Sequence, residues 1–137
     1  MSENDEKREY LNQYRNARME IIRLDEQLRE LRASRIIPAQ RNDGMPHGAG
    51  GGDLSEYAAQ VSEIEQDILS KRYRLIEVFD TIRRAIDRCS YEDDRLLLTY
   101  RYIRLLTWER IAVKMGYSWR QIIRMHGRAL ENFKIPK

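Results

Sequence analysis

The sequence predicts an all-α protein, with an N-terminal antiparallel coiled-coil helical hairpin and a C-terminal three-helix domain of helix-turn-helix form. Three observations lead there. Apolar residues recur at alternating spacings of three and four along two long stretches. No stretch shows the period-two alternation of a half-buried strand. The last third holds short amphipathic segments joined through a glycine and a capping serine. Of 137 residues, 34% are charged and 42% hydrophobic, with 7 Gly and 3 Pro, a balance that favours solvated helices over a large core. The length excludes a barrel or doubly wound enzyme of ordinary size.

The first helix is expected over residues 5–36, where Tyr10, Tyr14, Ala17, Ile21, Leu24, Leu28 and Leu31 form a heptad seam. Pro38 disfavours helical geometry at Ile37 and should end the run nearby. Residues 38–53, with Pro38, Pro46 and five glycines, read as a loop. Asp53 and Glu56 then form an acidic variant of a capping box that opens a second helix over about 54–88. Its seam is Tyr57, Val61, Ile64, Ile68, Leu75, Phe79, Ile82 and Ile86, with Lys71 in one slot. Two such helices bury one face each and are marginal alone. Ile22, Ile76 and Val78 widen the apolar stripe, so the hairpin is expected to self-associate, most simply as a homodimer forming a four-helix bundle.

Residues 1–89 thus form the hairpin and 90–137 a second domain, with helices expected over about 91–104, 107–115 and 118–133. Ser90 and Asp93 offer the first of these an N-cap. Thr107 can cap the second. Ile111 and Met115 face inward, Ala112 is small where helices cross, and Gly116 suits a left-handed helix end. Tyr117 can fill the corner. Ser118 and Gln121 make an S-x-x-Q capping box for the last helix. At 100° per residue Ile122, Met125, Ala129 and Phe133 share one face, while Arg120, Arg124 and Glu131 point nearly opposite, with Gly127 and Arg128 close to that outer face.

Charge sharpens the functional reading. The net charge is +3, but from Arg95 onward ten Lys and Arg stand against two Asp and Glu. A basic end behind a helix-turn-helix pattern points to double-stranded DNA. Arg120, Gln121 and Arg124 are the expected base contacts, since guanidinium forks pair bidentately with guanine. Thr107, Trp108, Arg110, Lys114, Ser118, Trp119 and Arg128 are the expected phosphate contacts. The single cysteine, Cys89, excludes an internal disulfide framework and fits a reducing cytoplasm. The charged start Met-Ser-Glu-Asn-Asp-Glu-Lys-Arg lacks the apolar run of a signal peptide, and no run is long enough for a membrane span.

At these residues the chain resembles known families. Tyr91 to Phe133 is similar to region 4 of bacterial sigma factors, through Leu97-Leu98-Thr99-Tyr100-Arg101-Tyr102-Ile103, Leu106-Thr107-Trp108-Glu109-Arg110-Ile111-Ala112, Met115-Gly116-Tyr117-Ser118 and His126-Gly127-Arg128-Ala129-Leu130. The whole chain resembles small prophage regulators of Gram-positive bacteria, grouped as late-gene transcription regulators of the RinA/ArpU type. These pair an N-terminal coiled-coil hairpin and a glycine-bearing loop, here Met45-Pro46-His47-Gly48, with a sigma-like helix-turn-helix. The resemblance implies promoter-DNA binding, contact with RNA polymerase and no enzymatic activity. The chain has no room for sigma region 2, so a DNA-binding activator or a partial sigma mimic is implied rather than a stand-alone sigma factor.

Other signals carry less. Gly48 and Gly50–Gly52 lack the Gly-Lys-Ser/Thr ending of a phosphate loop. His47, His126 and Cys89 form no metal-ligand cluster, and no cofactor is expected. His47 reads as an exposed loop residue and His126 as a packed one, while Cys89 reads as a small buried or linker residue. The adjacent Asp93 and Asp94 diverge on a helix and make no acid/base pair. Tyr10, Tyr14 and Tyr57 read as core rather than base-stacking groups. Trp108 and Trp119 each start a helix, where packing competes with backbone contact. Two alternatives remain: a packaging protein resembling a terminase small subunit, and an interaction module that binds polymerase or a host factor without DNA.

Overall fold

The computed structural model describes residues 2–40 and 50–137, with side chains described over 2–34 and 54–137. Every regular element among the described residues is helical: α1 (Glu3–Leu11), α2 (Gln13–Gln40), α3 (Gly50–Asp87), α4 (Glu92–Leu98), α5 (Trp108–Met115) and α6 (Trp119–Asn132). A single π-helical turn, Thr99–Ile103, follows α4. No helix among the described residues is long and apolar enough to cross a membrane.

Several boundaries differ from expectation. The first helix is interrupted at Asn12, whose N–H bonds back to Arg8 and Tyr10 carbonyls before Asn16 takes the Asn12 carbonyl and the coil resumes. α2 runs through Pro38 to Gln40, although a proline inside a helix removes one donor and crowds the carbonyl four residues back. α3 begins at Gly50, so position 53 lies within the helix rather than at its cap. The helix margins thus take the ends of the expected 38–53 loop, and its centre at 41–49, with His47, lies outside the described residues.

Ser90 does not cap α4 either: the cap position is Tyr91, without a side-chain bond. Arg95 organises that corner instead, donating to the Cys89 carbonyl and the Glu92 carboxylate, while Glu92, Asp93 and Asp94 fill the first turn. The expected helix over 91–104 is α4 plus the π-turn, closed when Arg104 N–H reaches the Thr99 carbonyl at 2.9 Å. Leu105 follows with φ 58°, a left-handed conformation that costs a non-glycine residue about 1–2 kcal/mol. Two bonds of 3.0 Å hold it: Leu106 N–H donates to the Tyr100 carbonyl, and Arg101 to the Leu106 carbonyl.

The chain forms two compact units, Met1–Arg18 with Leu75–Lys137, and Met19–Arg74. This division falls elsewhere than at the expected 89/90 step. The reason is the core of the first unit. Leu11, and Val78, Ile82, Ala85 and Ile86 from the end of α3, are buried together with Leu97, Leu98, Ile111, Ile122, Leu130 and Phe133. The C-terminal helices therefore share their apolar centre with α1 and the base of α3. Tyr10 lies 5.9 Å from Phe133 and Tyr14 meets Phe79 edge-on at 5.6 Å, so both tyrosines serve the core. Val78, expected to widen the apolar stripe, is buried here.

Lys7 ties α1 to α6. Its side chain is almost wholly buried, and its ammonium donates to the carbonyls of Leu130 at 2.8 Å and Glu131 at 3.2 Å. A cation at the carbonyl end of a helix meets the negative end of its dipole, and here it adds a donor to the Leu130 carbonyl, which also accepts from Phe133 N–H. Cys89 is buried nearby, and burial followed by the Asp94 carboxylate pushes its thiol up.

In the second unit Leu24, Leu28 and Ile68 are buried, with Val61 and Ile64 packed against them, so the seam positions form the contact. Glu20 pairs with Lys71 at 3.7 Å and Arg32 with Glu65 at 3.1 Å. Lys71, the polar residue in the apolar seam, is thereby matched by a carboxylate. Met19, Ile22, Leu69 and Tyr73 remain exposed in this unit.

Candidate nucleic-acid interface

The geometry of the last two helices follows from local chemistry. Thr107 Oγ1 accepts the Arg110 N–H at 3.3 Å and starts α5. Gly116 ends it at φ 75°, its N–H donating to the Ala112 carbonyl at 2.9 Å. Tyr117 donates to the same carbonyl, but its side chain stays exposed rather than filling the corner. Ser118 Oγ accepts the Gln121 N–H at 3.1 Å and Gln121 Oε1 accepts the Ser118 N–H at 2.9 Å, a complete capping box.

These caps fix which faces point where. On α5, Ile111 and Ala112 are buried, while Thr107, Arg110 and Lys114, spaced along one helical face, are exposed. On α6, Ile122, His126, Ala129 and Leu130 are buried, followed by Phe133 at the cap, and Met125 is half-buried against the same core. Arg120, Arg124 and Arg128 are exposed at intervals of four. Leu130 was missed as an inner residue. It lies to one side of the Ile122 stripe, and the packing of α1 on α6, with Lys7 at its end, widens what is covered.

The expected contact residues separate into groups. Arg120 and Arg124 stand on the outer face of α6. Gln121 is exposed too, but its side-chain oxygen is committed to the cap, leaving its amide NH₂ as the group for a base edge. Arg128 shares a cavity with Tyr91, Asp93, Asp94 and Asn132, and Asn132 donates to Asp94 at 3.1 Å. Those carboxylates make Arg128 the least favoured of the three arginines for phosphate. Lys114 stays exposed with its ammonium 5.9 Å from the Tyr100 ring centre. Trp119 is 52% exposed. Trp108 is half-buried: its ring meets His126 edge-on at 4.7 Å and carries the Arg101 guanidinium at 4.1 Å.

His126 is packed, as its place near the inner face suggested. It is 5% exposed and shares a 2.7 Å hydrogen bond between Nε2 and the Tyr102 hydroxyl. Burial, then the Arg8 and Arg101 charges, push its imidazole down to about 4, and burial pushes the Tyr102 phenol up to about 12. Both groups are neutral near pH 7, so the pair fixes the position of α6 without adding charge. Sequence spacing gave no sign of this bond, because the partners are 24 residues apart.

Gly127 is set at the middle of α6, and a Cβ added there meets nothing within 4 Å. Gly127→Ala should therefore stabilise the fold by about 0.5–1 kcal/mol through helix propensity alone. If this flank faces a phosphate backbone, the same methyl should weaken DNA binding. A raised denaturation midpoint with weakened binding is the expected pair of results; a raised midpoint with unchanged binding would move Gly127 out of the interface.

The chain matches no protein-family model, no curated protein and no solved structure. The resemblance to sigma region 4 and to prophage regulators therefore rests on the residues quoted from the sequence. Among the described residues, no three His, Cys, Asp or Glu side chains are grouped so that they could hold a metal ion.

Proposed function

We propose that this protein is a sequence-specific DNA-binding transcriptional regulator of the phage or prophage late-gene type, without enzymatic activity. In this reading α5 and α6 form the helix-turn-helix, and α6 enters the major groove. The observation that carries it is the division of α6, whose one side is buried in the core while Arg120 and Arg124 project from the other behind a complete N-terminal cap. A recognition helix needs that rigid backing, because base readout depends on side chains held in register.

Dimerisation is assigned to an antiparallel hairpin of α2 and α3. The opposed pairs Glu20–Lys71 and Arg32–Glu65, and the exposed Met19, Ile22, Leu69 and Tyr73, support that assignment. Two recognition helices would then read half-sites about 10 bp, or a multiple of it, apart. RNA polymerase is a further partner in this reading, as the sigma-like motif implies.

Two substitutions test the assignment of roles. Arg124→Ala should remove about 1–3 kcal/mol of discrimination at one base position, a 5- to 150-fold relaxation read from competition between operator variants. Lys114→Ala should weaken all duplexes alike and flatten the salt dependence by about one unit of slope. Unchanged affinity, preference and slope in both variants would remove this face from DNA recognition.

A further inference from the structure

A second cationic site in the Met1–Arg18/Leu75–Lys137 unit lies away from α6. A cavity of about 400 Å³ is lined by Asn12, Arg15, Arg101 and Leu105. Asn12 and Arg15 come from the α1–α2 junction and the first turn of α2, Arg101 from the π-turn, and Leu105 is the left-handed residue two positions beyond it. Among the described residues neither arginine forms an ion pair with a carboxylate. Arg101 is held in place by the Leu106 carbonyl and the Trp108 ring, so its guanidinium is fixed beside the start of α5.

Two guanidinium groups facing one cavity repel each other, and Arg101 is also partly desolvated. Burial pulls it below its ordinary value, the Arg15 charge acts the same way, and Tyr102 and Glu109 oppose them. An anion placed between the two arginines relieves that repulsion. A tetrahedral oxyanion suits the site best, since it accepts from two planar forks and an amide at once. Arg101 is fixed on one side of the cavity by its bond to the Leu106 carbonyl, so the guanidinium is already oriented before any anion arrives.

We propose that this cavity seats a phosphoryl oxyanion from the backbone of bound duplex DNA, with Arg15 and Arg101 as its cationic partners and the Asn12 amide as a donor. This rests on the DNA-binding reading and extends it: the start of the N-terminal coil becomes part of the DNA contact as well as of the shared core. Base readout at α6 and backbone anchorage beside α5 would then flank the same helix pair.

The test uses the full-length protein and three variants, Arg15→Ala, Arg15→Lys and Arg124→Ala. Arg15 is exposed, so its replacement leaves the core intact. Duplex affinity is measured across a salt series, and the arginine Nε–Hε signals are followed by NMR as inorganic phosphate is added. The expected result is a salt slope lower by about one unit for Arg15→Ala, the wild-type slope for Arg15→Lys, and unchanged base preference in both. Phosphate should shift the Arg15 and Arg101 signals together.

A wild-type slope for Arg15→Ala, with Arg124→Ala still impaired, would overturn the cavity proposal and leave the DNA reading standing. Phosphate shifts at Arg15 and Arg101 with no change of duplex slope would assign the cavity to a free phosphorylated ligand and overturn the backbone source. Absence of duplex binding by the wild-type protein would overturn the DNA reading itself and the backbone source with it.

Discussion

Phe133→Ala is expected to cost about 3–5 kcal/mol of folding stability. Phe133 is fully buried, and it is the residue at which α6 gives way to extended backbone. Its ring faces Tyr10 of α1, and its N–H donates to the Ala129 and Leu130 carbonyls. Truncation leaves a cavity between α1 and α6 beside the carbonyls that Lys7 satisfies, so the docking of the N-terminal helix weakens as well. The loss is a large share of the roughly 5–15 kcal/mol that holds a typical domain. Urea denaturation, followed by tryptophan fluorescence, measures it, since Trp108 and Trp119 both belong to this unit. Val113→Ala, at a residue 83% exposed, should change the midpoint little and serves as the control. A loss below about 1 kcal/mol for Phe133→Ala would mean that α1 does not form one core with α6.

Acidification from pH 7 to 4 should remove on the order of 3 kcal/mol through His126 alone. The sign follows from proton binding. The folded imidazole is held down to about 4 by burial and by the nearby Arg8 and Arg101, while the unfolded one titrates near its ordinary value of 6.5. Between those values the unfolded chain binds the extra proton, so stability is complete above pH 6.5 and is lost as pH falls toward 4. The difference in stability between wild type and His126→Gln should narrow over that window. An imidazole signal assigned to His126 should show no titration midpoint above about 5. A midpoint near 6.5 in the folded protein would contradict the burial of this ring against Tyr102 and Trp108.

Much of the fold was legible because it is written in local chemistry. The seam residues Leu24, Leu28, Val61, Ile64 and Ile68 occupy the contact that their spacing required. Thr107, Gly116, Ser118 and Gln121 each perform the capping or turning role that their chemistry predicts. What stayed hidden depends on partners distant in sequence. Lys7 reads as one more exposed lysine until the end of α6 meets it 123 residues later. Leu130 is inner only because α1 covers its side of α6. The Ser90 cap is a local miss: α4 has its cap position one residue later at Tyr91, and the Arg95 guanidinium ties the corner to the neighbouring Cys89 carbonyl and Glu92 carboxylate.

The candidate site divides in the same way. Exposure of Arg120 and Arg124 followed from helical periodicity, since inner and outer faces are fixed once Ile122 is buried. The commitment of Gln121 Oε1 to the cap was implicit in the S-x-x-Q pattern, although the same residue was also assigned to a base edge. The carboxylates beside Arg128 and the cavity between Arg15 and Arg101 have no signature in the sequence, because each joins residues from different helices.

Selection of bound duplexes from a random pool, followed by sequencing of what the purified protein retains, addresses the central claim most directly. The account predicts an enriched motif with two related half-sites about 10 bp, or a multiple of it, apart. It further predicts that Arg124→Ala loses preference at one position within each half-site. Folded protein that enriches no sequence would contradict it, and the basic face would then serve nonspecific binding, packaging or a protein partner.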